Sequence, residues 1–164
     1  MAEKFNISPQ QDEKFMRMAI VEAERALAKR EVPIGAVIVK NGKIIAKAYN
    51  KKERTGDSTS HAEILAIKKA TDIVGNWWLE DCDMYVTLEP CPMCAGAIIN
   101  SRIKNVYFGA KDEKNGAVVS AAQLFDMNFT HKPNYEGGIM GEECAKILSD
   151  FFKDLRKKKV GEEK

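Results

Sequence analysis

The stretch Asp83-Met84-Tyr85-Val86-Thr87-Leu88-Glu89-Pro90-Cys91-Pro92-Met93-Cys94-Ala95-Gly96-Ala97-Ile98-Ile99-Asn100 changes character at its middle. Asp83 to Leu88 are rich in β-formers and predict a strand, which Pro90 stops because proline has no N–H to offer a sheet ladder. Pro92 carries the fixed φ that suits the first turn of a helix, and the small apolar residues Met93 to Asn100 predict that this helix packs closely on its neighbours. Cys91 therefore falls just past a strand end, and Cys94 one helical turn later.

Upstream, Phe15, Met18, Ala19, Ala23, Ala26 and Leu27 recur at three- and four-residue spacing and predict an amphipathic helix over Asp12 to Arg30. Pro33 to Val39 reads as an apolar strand, Asn41-Gly42 as a hairpin turn, and Lys43 to Tyr49 as the returning strand. Lys51 to Ser60 is a polar loop in which Ser58, Thr59 and Ser60 offer caps for a helix beginning near His61 and running through Ala70, broken at Gly75-Asn76. Downstream, Asn105 to Ala110 predicts a further strand. A short helix at Ser120 to Phe125, a turn-rich stretch to Gly141 and a helix from Glu142 to about Lys158 complete the chain. Strands alternating with helices after an opening hairpin indicate an α/β fold, a mixed sheet covered by helices on both faces.

The 164 residues, 45% of them apolar, fit one compact domain over 1–164, with no repeat or linker to divide it. The opening MAEKFNISPQQDEKF lacks the apolar run of a secretory signal, and no stretch approaches the roughly 20 apolar residues that span a bilayer. A soluble cytoplasmic protein with no membrane partner is the expectation. The formal charge of +2 requires neither a nucleic acid nor a membrane, while leaving room for a local basic patch. Four cysteines in a large, Lys/Glu-rich chain point to metal binding or buried thiols rather than a disulfide framework.

Two cysteines three apart in a helix's first turn direct both sulfurs to one point, and the helix N-terminus favours their thiolate form. His61, at the start of a second helix, supplies a third ligand, leaving one position of a tetrahedral zinc for water or hydroxide. Zinc lowers the pKa of such a water to about 7, so hydrolysis proceeds at neutral pH. Glu63, two residues beyond the ligand, reaches water and substrate without binding metal and is the candidate general acid/base. Other readings stay open: Cys91-x-x-Cys94 as a redox couple, or Cys82 or Cys144 closing a structural zinc as its fourth ligand. Cys144 lies in the apolar register of the last helix and is expected to pack. His131 is expected at the surface. Of Trp77 and Trp78, one is expected in the core and one partly exposed, although a base-stacking platform is conceivable. The run Arg156, Lys157, Lys158 and Lys159 reads either as a contact for phosphates or as a solvated helix end favoured by the macrodipole, and Glu162 and Glu163 directly after it favour the second.

The pairing of His61-Ala62-Glu63 with Pro90-Cys91-Pro92-Met93-Cys94 resembles the H-x-E and P-C-x-x-C signature of the cytidine/deoxycytidylate deaminase superfamily. Within it the chain resembles the bacterial tRNA-specific adenosine deaminases, in Arg30 to Val37, Tyr85 to Cys91, Met93 to Ala97, Ser101-Arg102-Ile103, Glu143-Cys144 and Leu148 to Phe152. The resemblance implies a three-layer α/β/α sandwich with a five-stranded mixed sheet (cytidine deaminase-like), one catalytic Zn²⁺ per chain, a homodimer, and conversion of the wobble adenosine of a tRNA anticodon stem-loop to inosine. It also implies that Asn50 hydrogen-bonds the flipped base, that Val32, Pro33 and the backbone near Ala62 line its pocket, and that Lys111 and Asp112 within Gly109 to Gly116 touch the anticodon loop. In that segment Glu113 and Asn115 depart from the family's common pattern. The basic residues Arg102, Lys104, Lys111 and Lys114 are expected near the rim. Two alternatives remain: a deaminase of a free base or nucleotide (guanine, cytosine or deoxycytidylate), and a noncatalytic zinc-stabilised RNA-binding module.

Overall fold

A computed structural model describes residues 9–162. The leading segment read above for its lack of a signal lies, through residue 8, outside the described residues, as do the last two. In chain order the elements are α1 (Pro9–Ala28), β1 (Gly35–Lys40), β2 (Lys43–Tyr49), α2 (Lys52–Thr55), α3 (Ala62–Val74), β3 (Cys82–Leu88), α4 (Pro92–Asn100), β4 (Asn105–Ala110), a 3₁₀ turn at Leu124–Asp126, β5 (Asn134–Glu136) and α5 (Gly141–Glu162). The strands form one sheet in the order β2-β1-β3-β4-β5. β1 pairs antiparallel with both β2 and β3, whereas β3–β4 and β4–β5 are parallel.

Alternation along the strands divides the core between the two faces, because successive side chains of a strand point in opposite directions. Ala36, Ile38, Met84, Val86, Val106 and Phe108 pack with Ala62, Ala66 and Ala70 of α3 and Ala95, Ile98 and Ile99 of α4. Val37, Val39, Tyr85 and Tyr107 pack on the other face with Phe15, Met16 and Ala19 of α1 and Cys144 of α5. The result is the expected three-layer α/β/α sandwich around a five-stranded mixed sheet. The hairpin turn is also as expected: Asn41 and Gly42 both take positive φ, 51° and 74°, the conformation of the tight turn whose twist matches its strands.

Four local expectations change. The loop after Tyr49 contains the short helix α2, held by a buried carboxylate: Glu31 accepts hydrogen bonds from the backbone N–H of Glu53 (3.1 Å) and Arg54 (2.5 Å). The helix expected at Ser120 to Phe125 is reduced to the 3₁₀ turn. The turn-rich stretch hides β5, three residues long and too short to show a period. α5 runs past Lys158 to Glu162, and its basic end is exposed.

Candidate metal centre

β3 and β4 run in parallel, with Leu88 opposite Ala110, so both chain exits lie at the same carboxyl edge of the sheet. Crevices outside the carboxyl ends of strands are where open α/β sheets present binding groups. From β3 the chain reaches Cys91 and enters α4; from β4 it enters the 111–120 segment. α3 starts beside them. His61 is the N-cap residue of α3 (φ −73°, ψ 153°) and Cys91 that of α4 (φ −74°, ψ 173°), and neither side chain caps its own helix. Both are therefore free to turn toward each other.

His61 Nδ1 lies 3.6 Å from Cys91 Sγ and 3.5 Å from Cys94 Sγ. Among the described residues, these three form the group of His, Cys, Asp or Glu able to surround an ion, with ligand atoms within 4.8 Å of one another. A tetrahedral zinc with ordinary Zn–N and Zn–S bonds separates its nitrogen and sulfur ligands by about 3.6 Å. The donor set and its nitrogen–sulfur separations thus fit zinc. Cys82 and Cys144, the two candidates for sealing the ion, are not in this group; both are buried free thiols, and Cys144 packs in the α1/α5 core as its register requires.

The protein environment prepares the sulfurs. The Cys94 thiol and then His61 hydrogen-bond to Cys91 and hold its pKa down at about 4, against the opposing effect of burial. Cys94 is pushed far up by its bond to the Cys91 thiolate and by burial. The Cys91 partner also raises His61. Three groups that share protons in this way can exchange them for a single cation, because metal ligands bind deprotonated. Glu63, only 4% exposed, sits against this cluster; burial raises its pKa, while its own backbone N–H and the Cys94 thiol act in the opposite direction.

The remaining sequence candidates divide. Asn50, 5% exposed at the end of β2, donates from Nδ2 to the Val32 carbonyl (3.3 Å) and accepts from the Lys52 N–H through Oδ1 (3.2 Å). A primary amide has two donors and two acceptor lone pairs, so one of each remains for a ligand. Pro33 and Ala62 are buried and Val32 half-buried. Lys111 is exposed, and half-buried Asp112 uses Oδ1 to accept the Lys114 and Asn115 N–H groups, closing a tight turn.

The basic rim is not as expected. Lys111 and Lys114 follow β4, but Arg102 and Lys104 precede it, with Lys104 N–H bonded to the Cys82 carbonyl at the opposite edge. A six-residue strand separates the two pairs by roughly 20 Å. Trp77 and Trp78 lie beyond the far end of α3, 58% and 48% exposed, so neither enters the core and neither is near the metal cluster. Ser58, Thr59 and Ser60 do not cap α3: Asp57 closes its own turn onto Thr59, and the Ser60 hydroxyl accepts from Thr55. His131 is half-buried rather than fully at the surface, and its Nε2–H donates to the Ile103 carbonyl (2.7 Å).

The expectations above did not include two buried acids that build the site's walls. Glu31 holds α2, and Glu89 gathers backbone N–H groups from Asp112 and from Val118 to Ser120. For Glu89 the signal available was an acid ending an apolar strand directly before Pro90-Cys91.

Comparison with known proteins agrees with this geometry. A family model described as MafB19-like deaminase matches residues 10–156. The tRNA-specific adenosine deaminase of Bacillus subtilis (strain 168) is 50% identical over 150 residues, 91% of this chain and 93% of that protein. That of Aquifex aeolicus (strain VF5) is 48% identical over 145 residues, 88% of this chain and 95% of its own. A structure from studies of A-to-I editing by tRNA:A34 deaminases at the wobble position of transfer RNA superposes with a TM-score of 0.80 at 45% identity, covering 82% of this chain and 99% of that one. Guanine deaminase from Bacillus subtilis superposes less well, with a TM-score of 0.59 at 34% identity over 72% of this chain and 86% of its own.

Proposed function

Because the chain belongs to the MafB19-like deaminases, and among them to the tRNA-specific adenosine deaminases, we propose that it hydrolyses the wobble adenosine of a tRNA anticodon to inosine, releasing ammonia. The observation that carries the reading is the convergence of His61, Cys91 and Cys94 from two adjacent helix starts with Glu63 against them. His61, Cys91 and Cys94 would hold one Zn²⁺. Bound there, zinc would supply Lewis acidity, making hydroxide available near neutral pH.

The chain's own residues do the rest. Glu63 carries the protons: it receives one from the attacking water and places it on the ring nitrogen beside carbon 6, then takes the second from the hydroxyl now on carbon 6 and delivers it to the departing amine. Its burial suits that work, since a carboxyl in a poorly solvated site gives up and regains a proton more evenly than an exposed one. Asn50 offers its spare donor and acceptor to the base, in a pocket lined by Val32, Pro33 and the backbone at Ala62. Lys111 and Asp112 face the anticodon loop. Bases there are unpaired and turn outward at modest cost, whereas a stem base would have to leave a helix.

The protein acts as one domain and, by the same reading, as a cytoplasmic homodimer. Among the described residues no helix is long and apolar enough to cross a membrane. The test is ammonia release from an anticodon stem-loop, free adenosine, guanine and deoxycytidylate, with the metal present and after chelation. Turnover of the stem-loop, abolished by chelation and restored by Zn²⁺, is expected. Turnover of guanine alone would replace this reading with that of the guanine deaminase likeness. Zinc near one per chain without turnover of any substrate would make the chain a binding module.

A further inference from the structure

Glu89 is the last residue before Pro90-Cys91, and it is 2% exposed. One of its carboxylate oxygens accepts the backbone N–H groups of Val118 (3.1 Å), Val119 (2.9 Å) and Ser120 (3.0 Å). The other accepts the Asp112 N–H (3.1 Å) and the Ser120 hydroxyl. Two main-chain bonds reinforce the same junction, Glu89 N–H to the Ala110 carbonyl and Ala117 N–H to the Pro90 carbonyl, each 2.8 Å. Gly116 closes over the carboxyl so tightly that a Cβ there would collide with it. The 112–120 segment is thus wound around one side chain, and that side chain is fixed to the turn that presents Cys91. On the outer side of the winding, Lys111, Glu113, Lys114 and Asn115 are exposed.

We propose that Glu89 is a positioning residue for RNA recognition: it registers the 111–120 wall on the metal turn, so that an RNA loop held by that wall delivers its base to the metal. This deepens the tRNA reading and rests on it. A carboxylate suits the task because ionised acceptors form the strong, directional hydrogen bonds, and one carboxylate serves several donors at once. Glu89 touches neither substrate nor reacting atoms in this role. Its effect is on where the wall stands.

The test compares the zinc-loaded full chain with Glu89→Gln, which removes the charge and turns one acceptor into a donor, and with Ser120→Ala, which removes a single bond and leaves folding least disturbed. For an anticodon stem-loop, Glu89→Gln should raise KM about tenfold with kcat within about threefold, the split expected when ground-state and transition-state binding are lost together. Zinc should remain at one per chain. Ser120→Ala should move KM in the same direction by about threefold. Amide exchange at Asp112, Val118, Val119 and Ser120 should quicken about tenfold or more in Glu89→Gln while the α4 amides stay unchanged. Unaltered exchange at those four amides would overturn the proposal. So would a fall in kcat with KM constant and zinc lost, which would make Glu89 a support of the metal turn alone. If the unaltered protein turned over no stem-loop, the tRNA reading would fall separately, and the exchange comparison would still decide whether Glu89 holds the wall.

Discussion

Two glutamates, Glu63 at the start of α3 and Glu89 at the end of β3, are almost equally buried, yet the protein treats them in opposite ways. Burial drives the Glu63 pKa up, and its own N–H, the Cys94 thiol and the nearby His61 do not overcome it. Burial pushes on Glu89 as well, but the Ser120 hydroxyl and the N–H groups of Val119, Ser120 and Asp112 overcome it and leave the carboxyl below its usual range. Low solvent exposure alone therefore says little about a buried acid; the balance between desolvation and the donors aimed at it decides whether it can exchange a proton or is locked as an anion. The first acid suits chemistry, and the second suits architecture.

The sharpest way to break this contrast is to remove each carboxylate's charge in turn. Glu63→Gln keeps shape and zinc but cannot carry a proton, so turnover should fall about 10³-fold or more, toward the upper end of what a positioned acid/base contributes. Single-turnover rates with metal content measured on the same sample check it; retained activity would remove Glu63 from its role. Cys91→Ala, by contrast, should lose metal and turnover together. Glu89→Ala leaves four backbone N–H groups facing a void and should cost roughly 3 kcal/mol of stability, read from the denaturant midpoint, because buried donors without acceptors are the expensive part of a lost hydrogen bond. Glu63→Ala should cost clearly less. A larger loss at Glu63 would invert the comparison.

Gly116→Ala probes the same cradle from outside. The added Cβ must displace either the Glu89 carboxyl or the turn carrying Asp112, whose carbonyl lies at 2.5 Å from its position. Overpacking of this kind costs about 1–3 kcal/mol. Unchanged stability in thermal or denaturant unfolding would mean that the winding around Glu89 is loose.

The two regions also differ in how far the amino-acid sequence exposes them. His61, Glu63, Cys91 and Cys94 could be found because each belongs to a short local spacing at a helix start, and helix starts are signalled by Pro92 and by the change from polar loop to apolar period. The four long strands and three long helices follow from local signals, apolar runs, β-formers, turn residues, caps and a helical period, that a few residues suffice to show. The Glu89 cradle is different. Its donors lie up to 31 positions away and are backbone N–H groups, which carry no residue identity. β5 escapes for a related reason, since its three residues are held by pairing with β4 rather than by any pattern of their own. The basic rim is hidden from the sequence because nearness of Lys104 and Lys111 along the chain conceals the strand between them, which carries them to opposite edges. Trp77 and Trp78 fail by the same logic, their exposure being set by where α3 ends.

The other face of the sheet supplies a further buried acid, and with it the smallest effect. Asp12 of α1 accepts the Tyr85 hydroxyl at 2.6 Å between α1 and β3. Burial raises the Asp12 pKa, and the single bond from Tyr85 only partly offsets it, which places this acid nearer to Glu63 than to Glu89. A carboxyl whose folded pKa exceeds its unfolded value binds protons more readily when folded. Its contribution is fully present below the unfolded pKa, near 3.8, and is lost as pH rises through the raised folded value. Asp12→Asn keeps an acceptor for Tyr85 and cannot ionise. Relative to that variant, the unaltered protein should be favoured at the acid end and lose ground as pH climbs past 4 to neutrality, by about 1 kcal/mol or less for a partly solvated group. Denaturant midpoints of the two proteins across that range provide the measurement. A difference that grew in the opposite direction would mean that Tyr85 stabilises the anion more than burial opposes it, and Asp12 would then belong with Glu89.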